Sequence, residues 1–302
     1  MIGISRSPEY PACMLAYKGA DHSRFEFHRF DLRTEVDGIV ELIKRSSARY
    51  VVNFAAQGEI RSSFEDPESH YATNAMATVR FVERLKAVDT LRRYVHISTP
   101  EVYGETGVGL RESNVFNPSS PYAASKAAAD LHNMVLHKTS GFPVVTIRST
   151  NVFGPFQQLY RIVPRMAIMI RLGQKLVLDG GGKARKSYLH IEDACDGIIK
   201  AMESGRGGEV YHFGPNGDAI AIRYVVESVC KLMNVAFDDY VNVGPERPGQ
   251  DALYSIDSTK ARSELGWEPT RSFEAGVRET IEWIDRNWMT IKDLPHQYQH
   301  LP

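Results

Sequence analysis

Thr99-Pro100-Glu101-Val102-Tyr103-Gly104 and, a little further on, Tyr122-Ala-Ala-Ser-Lys126 are the stretches from which the rest of this chain can be read. Just upstream, Arg93-Tyr-Val-His-Ile-Ser98 has the composition of a short buried strand. Thr99 and Glu101 then stand at its carboxyl end, the edge where ligands bind in an open parallel sheet. Ser120-Pro121 is a helix start, with Ser as the cap and Pro in the first turn. On that helix Tyr122 and Lys126, four apart, share one face. An ammonium beside a phenol favours the phenolate, lowering its pKa so that the pair can act as a base. A hydroxyl, a carboxylate, a phenol and an ammonium are therefore expected at one sheet edge.

Outward from this point, strand-like and helix-like segments alternate as in βαβ units. Ile2-Gly-Ile-Ser-Arg6, Phe25 to Phe30, Tyr50 to Ala56 and Phe142 to Arg148 read as further strands. Val36 to Lys44, Glu68 to Ala87 and Pro121 to Lys138 read as helices. This predicts an α/β fold with a doubly wound parallel sheet. From Phe156 the alternation loosens into a helix over Arg161–Leu172, a turn at Gly180-Gly-Gly182, and amphipathic helices over Ile222–Met233 and Phe273–Trp288. A smaller second unit is expected there.

Composition narrows the function classes. With 302 residues, 43% apolar content and a formal charge of −1, an ordinary core is expected and nothing favours nucleic acid or an anionic membrane. Cys13, Cys195 and Cys230 lack metal-ligand spacing and read as reduced thiols of a cytoplasmic protein. His132 and His137 are wrongly spaced for paired ligands, and His296 and His300 lie in a polar tail, so no metal is expected. No apolar run approaches a membrane span, and the first residues do not form a signal peptide.

The two opening stretches, with Arg148-Ser-Thr-Asn151-Val-Phe-Gly154-Pro155 after them, resemble the extended short-chain dehydrogenase/reductase family of nucleotide-sugar epimerases and dehydratases, and most closely its 4,6-dehydratases. The resemblance covers essentially the whole chain. It implies a Rossmann-like dinucleotide-binding domain over 1–155 and 183–213 and a nucleotide-sugar domain over 156–182 and 214–302. One element is missing from the sequence. A dinucleotide-binding sheet normally begins with a strand, a glycine-rich turn and a helix whose N-terminus holds the pyrophosphate. No Gly-x-x-Gly-x-x-Gly follows a strand here, and Ile2–Arg6 corresponds to the family's second strand. The first βα unit, about thirty residues in a unit of this kind, is expected to be absent, with the chain begun at an internal methionine.

The resemblance also assigns roles. Tyr122 would deprotonate the C4 hydroxyl of the sugar, Lys126 would lower its pKa and bond the nicotinamide ribose, and Thr99 would hold the C4 oxygen. Glu101 would take the C5 proton once C4 is a ketone. Pro100 stands where dTDP-glucose dehydratases have Asp as the acid, so Glu101 itself could shuttle the proton to the C6 hydroxyl. Ala55, Ala56, Gln57, Asn74 and Ser149 would line the cofactor, and Asp31 and Leu32 would contact its adenine. Ser5-Arg6 after the first strand favours NADP, with NAD the second choice, because arginine accommodates a 2′-phosphate. Asn151, Arg161, Arg185, Lys186 and Arg247 would hold a nucleotide-diphosphate hexose. Glu59, Phe153 and Lys186 depart from the family's His, Tyr and Arg. Helices 68–87 and 121–138 match those through which the family dimerises. The expected reaction is 4,6-dehydration; decarboxylation or epimerisation after C4 oxidation, or a non-catalytic binding role, are the alternatives.

Overall fold

The computed structural model describes residues 1–19, 24–105, 107–215, 217, 219–246 and 253–300. Strand β1 (Ile2–Ser5) pairs in parallel with β2 (Glu26–Arg29), Ile2 opposite Glu26. Helix α1 (Val36–Arg45) leads to β3 (Tyr50–Asn53). Three helical pieces follow: α2 (Ile60–Glu65), α3 (Pro67–His70) and α4 (Thr78–Leu85), the last two joined by a π-helical stretch over Tyr71–Ala77. Then come β4 (Arg93–Ile97), a 3-10 turn over Pro100–Tyr103, β5 (Gly107–Leu110), α5 (Pro121–Ser140), β6 (Val144–Ser149) and β7 (Asn151–Phe153). The second half runs through α6 (Ile162–Arg171), β8 (Leu176–Asp179), β9 (Arg185–Lys186), β10 (Tyr188–His190), α7 (Ile191–Ser204) and β11 (Val210–Phe213). It closes with β12 (Ile220–Ala221), α8 (Ile222–Leu232), α9 (Phe237–Tyr240), β13 (Val241–Gly244), β14 (Tyr254–Ile256), α10 (Thr259–Leu265), α11 (Phe273–Arg286) and α12 (Trp288–Ile291).

The central sheet is parallel throughout, in the order β11-β6-β4-β3. Its inner strands are apolar on both faces, as a sheet covered by helices on both sides requires. Tyr94 and Val144 face α1, α4 and α5, where Val36, Ile39, Val40, Phe81, Val82 and Leu85 form one core. Their strand neighbours Val95 and Val145 face the other way, onto Ala194, Ala201, Tyr211, Phe213 and Trp267. A third core is built by α6, α8 and α11 with β8 and β13. Trp267 is fully buried and donates its indole N–H to the Asp193 carbonyl at 2.9 Å, which ties the chain after α10 to α7.

β1 and β2 hydrogen-bond only to each other, and β3 ends the four-stranded sheet. The parallel order of the four-stranded sheet, with helices packed on both faces, is that of a doubly wound α/β fold. Ile4 on β1 and Phe54 just after β3 are exposed, at 37% and 64%. No helix among the described residues is long and apolar enough to cross a membrane.

Candidate active site

Helix α5 begins where its sequence says it should. Ser120 Oγ accepts the Ala123 N–H at 3.2 Å, and Pro121 fills the first turn, where no hydrogen-bonding N–H is needed. That start places Tyr122 against the end of β4. Thr99, buried, caps the 3-10 turn by accepting the Glu101 N–H at 3.3 Å, and its hydroxyl also hydrogen-bonds the Tyr122 phenol. Burial pushes that phenol up, the Glu101 carboxylate adds to the rise, and the Thr99 bond and the Arg161 charge oppose it. Lys126, one turn on, is buried and donates to the Ile97 carbonyl at 2.7 Å. Burial pushes its ammonium down to about 8, against the pull of Asp130. The sequence reading made Lys126 the group that acidifies Tyr122. In the structure the lysine's ammonium is bonded to a backbone carbonyl, and the Arg161 charge also acts on the phenol.

Behind the helix lies a buried ionic network that sequence reasoning missed. Asp130 accepts from Ser98 Oγ at 2.7 Å and from Arg148 Nη2 at 2.7 Å, and its other oxygen lies 3.3 Å from His96 Nε2. Arg148 also donates to the Tyr103 hydroxyl, which lies 2.8 Å from His212 Nε2. Burial alone would push the Asp130 carboxyl up, but the Arg148 charge and the His96 and Ser98 bonds outweigh it and hold it well below its usual range. The signal was available: Tyr122, Lys126 and Asp130 are spaced four and four on one helical face.

The proposed cofactor residues divide. Ala55 and Ala56 are exposed beyond the end of β3, open to a ligand, and the Ser149 hydroxyl is buried with no hydrogen bond among the described residues. Asn74 is not open to a ligand. Its amide accepts the Gln57 N–H at 2.8 Å and donates to the Gln57 carbonyl at 3.0 Å and to Ser125 Oγ at 2.9 Å. Both donors are committed, so it positions Gln57 and α5 rather than contacting a cofactor. Leu32 is likewise a core residue, packed beside α1. Ser5 is exposed, its hydroxyl accepting the Ser7 N–H at 3.3 Å. Next to it Arg6, Arg29, Asp31 and Arg33 line an open cavity of about 600 Å³. The Asp31 carboxylate is engaged by Arg33, through the backbone N–H at 2.8 Å and the guanidinium at 3.3 Å.

Of the substrate residues, Arg161 caps α6 with its guanidinium 5.1 Å from the Tyr160 ring centre, and its charge reaches Tyr122. Asn151 opens β7, half-buried. Arg185 and Lys186 share a two-residue strand against β12, so they point to opposite sides. Lys186 is buried; Arg185 is exposed, its guanidinium held by the Ala219 carbonyl at 2.6 and 3.0 Å. The structure thus separates Arg185 from Lys186. Arg247 lies outside the described residues. No cluster of three potential metal ligands occurs among the described residues.

A family described as GDP-mannose 4,6 dehydratase matches residues 12–280. The chain belongs to this family. A dTDP-glucose 4,6-dehydratase of Streptomyces niveus is 36% identical over 277 residues, covering 90% of this chain and 81% of the relative. One of Xanthomonas campestris pv. campestris is 34% identical, covering 85% and 78%. Among solved structures, a dTDP-glucose 4,6-dehydratase double mutant of Streptomyces venezuelae with NAD bound superposes with a TM-score of 0.87 at 30% identity, covering 95% of this chain and 88% of that one. This dehydratase-family chain is accordingly an NDP-hexose 4,6-dehydratase-type enzyme that works with a nicotinamide dinucleotide on a nucleotide sugar. Arg29 and Arg33, which the sequence reading did not name, line the same cavity as Arg6; their signal was two further arginines around Asp31.

Proposed function

We propose that this enzyme takes a nucleoside-diphosphate hexose, with dTDP-glucose the first candidate, to its 4-keto-6-deoxy product. The observation that carries the residue assignments is the meeting of the Thr99 hydroxyl, the Glu101 carboxylate and the Arg161 charge on the Tyr122 phenol. Tyr122 takes the C4 hydroxyl proton while Thr99 holds the C4 oxygen. Glu101 then takes the C5 proton and delivers it to the departing C6 hydroxyl, because Pro100 carries no proton to give. The bound nicotinamide supplies the hydride acceptor for C4 and the hydride returned at C6. Arg161 and Lys186 hold the diphosphate, and Asn151 the sugar.

Residues for both ends of the dinucleotide are present. Tyr122, Lys126 and Ser149 serve the nicotinamide end, while Ala55, Ala56 and Gln57 line the path between. Our reading favours NADP over the NAD of the solved relatives. Asp31 is already engaged by Arg33 and so is poorly placed to accept a ribose 2′-hydroxyl, whereas Arg6, Arg29 and Arg33 surround a cavity suited to a phosphate.

Residues 1–155 with 183–213 are read as the cofactor unit and 156–182 with 214–302 as the sugar unit, the chain around Trp267 packing back on the former. A homodimer through 68–87 and 121–138 is supported by Met76, Leu131 and Val135, which are 50%, 48% and 57% exposed on those helices. Three unpaired cysteines fit a reducing cytoplasm.

A second reading is decarboxylation of a nucleotide uronic acid, favoured by one observation: the Arg161 charge acts on Tyr122, and a C6 carboxylate would need a cation near that phenol. The deciding experiment incubates the protein with dTDP-glucose, UDP-glucose, GDP-mannose and UDP-glucuronate, each with NAD+ or NADP+, and weighs the products. Loss of one water, abolished in Glu101→Gln, is expected. Loss of carbon dioxide would transfer the assignment to the second reading, and unchanged mass with an inverted centre would refute both.

A further inference from the structure

The tail that reads as merely polar is packed across the site. From Leu294 to His300 burial alternates: Leu294, His296, Tyr298 and His300 are partly covered, while Pro295, Gln297 and Gln299 are exposed. A period of two marks an extended segment with one face laid on the protein. Leu294 is anchored in the core of the second unit. Further along, the Tyr298 ring meets the Tyr160 ring edge-on at 5.1 Å, beside Arg161. At the end, His300 Nε2 lies 3.2 Å from Asp66 Oδ2 and 3.3 Å from Ser69 Oγ, so the segment finishes on α3 and the turn before it. The His300 ring stacks on His70 at 5.7 Å with only 4° between the planes, and His70 meets Tyr122 edge-on at 6.5 Å. His70 is fully buried, its ring nitrogens 3.0 Å from the Asp66 carbonyl and 3.3 Å from the Glu59 carbonyl.

We propose that Leu294–His300 is a strap across the sugar end of the active site, with Tyr298 and His300 as positioning residues that set which nucleotide hexose is accepted. This rests on the assignment of Tyr122 and Arg161 to the reaction. The strap is fixed at one end in the unit carrying Arg161 and at the other on the elements beside Tyr122. A ligand between those two groups lies under it. Such a cover excludes water and keeps a partly reacted sugar from leaving, which a reaction with a keto intermediate requires. Tyr298 acts through the ring that flanks Arg161, and His300 through the ring that flanks Tyr122. Both touch the machinery without belonging to it.

The test compares wild type with Tyr298→Ala, His300→Ala and His300→Gln. Each variant is assayed for KM and kcat over the hexose panel and for affinity toward the bare nucleoside diphosphate. The expected result is a KM raised about tenfold for the preferred sugar nucleotide in both alanine variants, with altered ranking of sugars and unchanged nucleoside diphosphate affinity. His300→Gln, which can still donate to Asp66, recovers most of the loss. Unchanged KM and ranking in both alanine variants, with only thermal stability lowered, would overturn the proposal and leave the tail a structural clasp. Carboxypeptidase trimming of the wild-type tail supplies a readout independent of turnover. Nucleotide hexose should slow it, and nucleoside diphosphate alone should not. Protection without turnover of any sugar would keep the strap and refute the dehydratase assignments; turnover without protection would do the reverse.

Discussion

At the residue scale, Lys126 shows how one sequence spacing can carry two different physical roles. Its distance from Tyr122 along α5 suggests direct action on the phenol, yet its ammonium is fixed on the Ile97 carbonyl at 2.7 Å. What it retains is a charge in a dry place, held down to about 8 by burial despite Asp130 one turn away. From about that pH upward the ammonium is lost, so kcat/KM should fall on the alkaline side. Arginine stays protonated throughout this range. Lys126→Arg should therefore lose the alkaline limb at a lower absolute rate, which a pH–rate profile reads directly. An identical limb in both proteins would assign it to another group. Glu101 offers a complementary case: if it alone carries the proton from C5 to C6, Glu101→Gln should lose about 10²–10⁴-fold in dehydration while C4 oxidation continues, seen as the absorbance of reduced nicotinamide.

At the scale of elements, Asn74 matters more for what it fastens than for what it faces. The π-helical stretch Tyr71–Ala77 turns it inward, where one amide satisfies both backbone groups of Gln57 and the Ser125 hydroxyl of α5. Asn74→Ala should cost roughly 2–3 kcal/mol in urea unfolding, because it leaves buried backbone groups unsatisfied. A loss under about 0.5 kcal/mol would mean that water takes over those bonds. The sequence announced this helix but not its π stretch, since seven residues are too few to separate the two helical periods. The start of α5 and strands β4 and β6 were legible because caps are local and strands covered on both faces leave unbroken apolar runs. The facing of Arg185 and Lys186 was not. It depends on a two-residue strand whose partner, β12, lies more than thirty positions away, and a slip of one residue would exchange the two side chains. The inward packing of the Leu32 side chain was not legible for a related reason: a motif position tells where the backbone passes a ligand, not which way the side chain packs.

For the molecule as a whole, the ionic network behind the site sets the response to acid. His212 and His96 are buried, 0% and 1% exposed, and each is held below the ordinary 6.5, His212 to about 3, by burial first and neighbouring cations second. The unfolded chain takes up these protons as pH falls below about 6.5, while the folded chain does not. Stability is thus complete above that value and declines on the way down, by roughly 1.4 kcal/mol per pH unit for each histidine still neutral in the fold. Asp130, whose carboxyl is held well below the usual 3.8, acts in the same direction but later: its contribution is present above that value and disappears only under it. Urea midpoints measured between about pH 6.5 and about pH 4 should therefore fall with decreasing pH, His212 contributing about one proton to the slope and His96 adding to it. In His212→Gln the slope should drop by one proton, even if the starting stability is lower. A slope unchanged by that substitution would place the acid sensitivity elsewhere, and a flat profile would mean that the network admits protons without opening. The same two histidines reach the catalytic helix through Asp130 and through Tyr103–Arg148. Acid inactivation should accordingly track the urea midpoint rather than precede it.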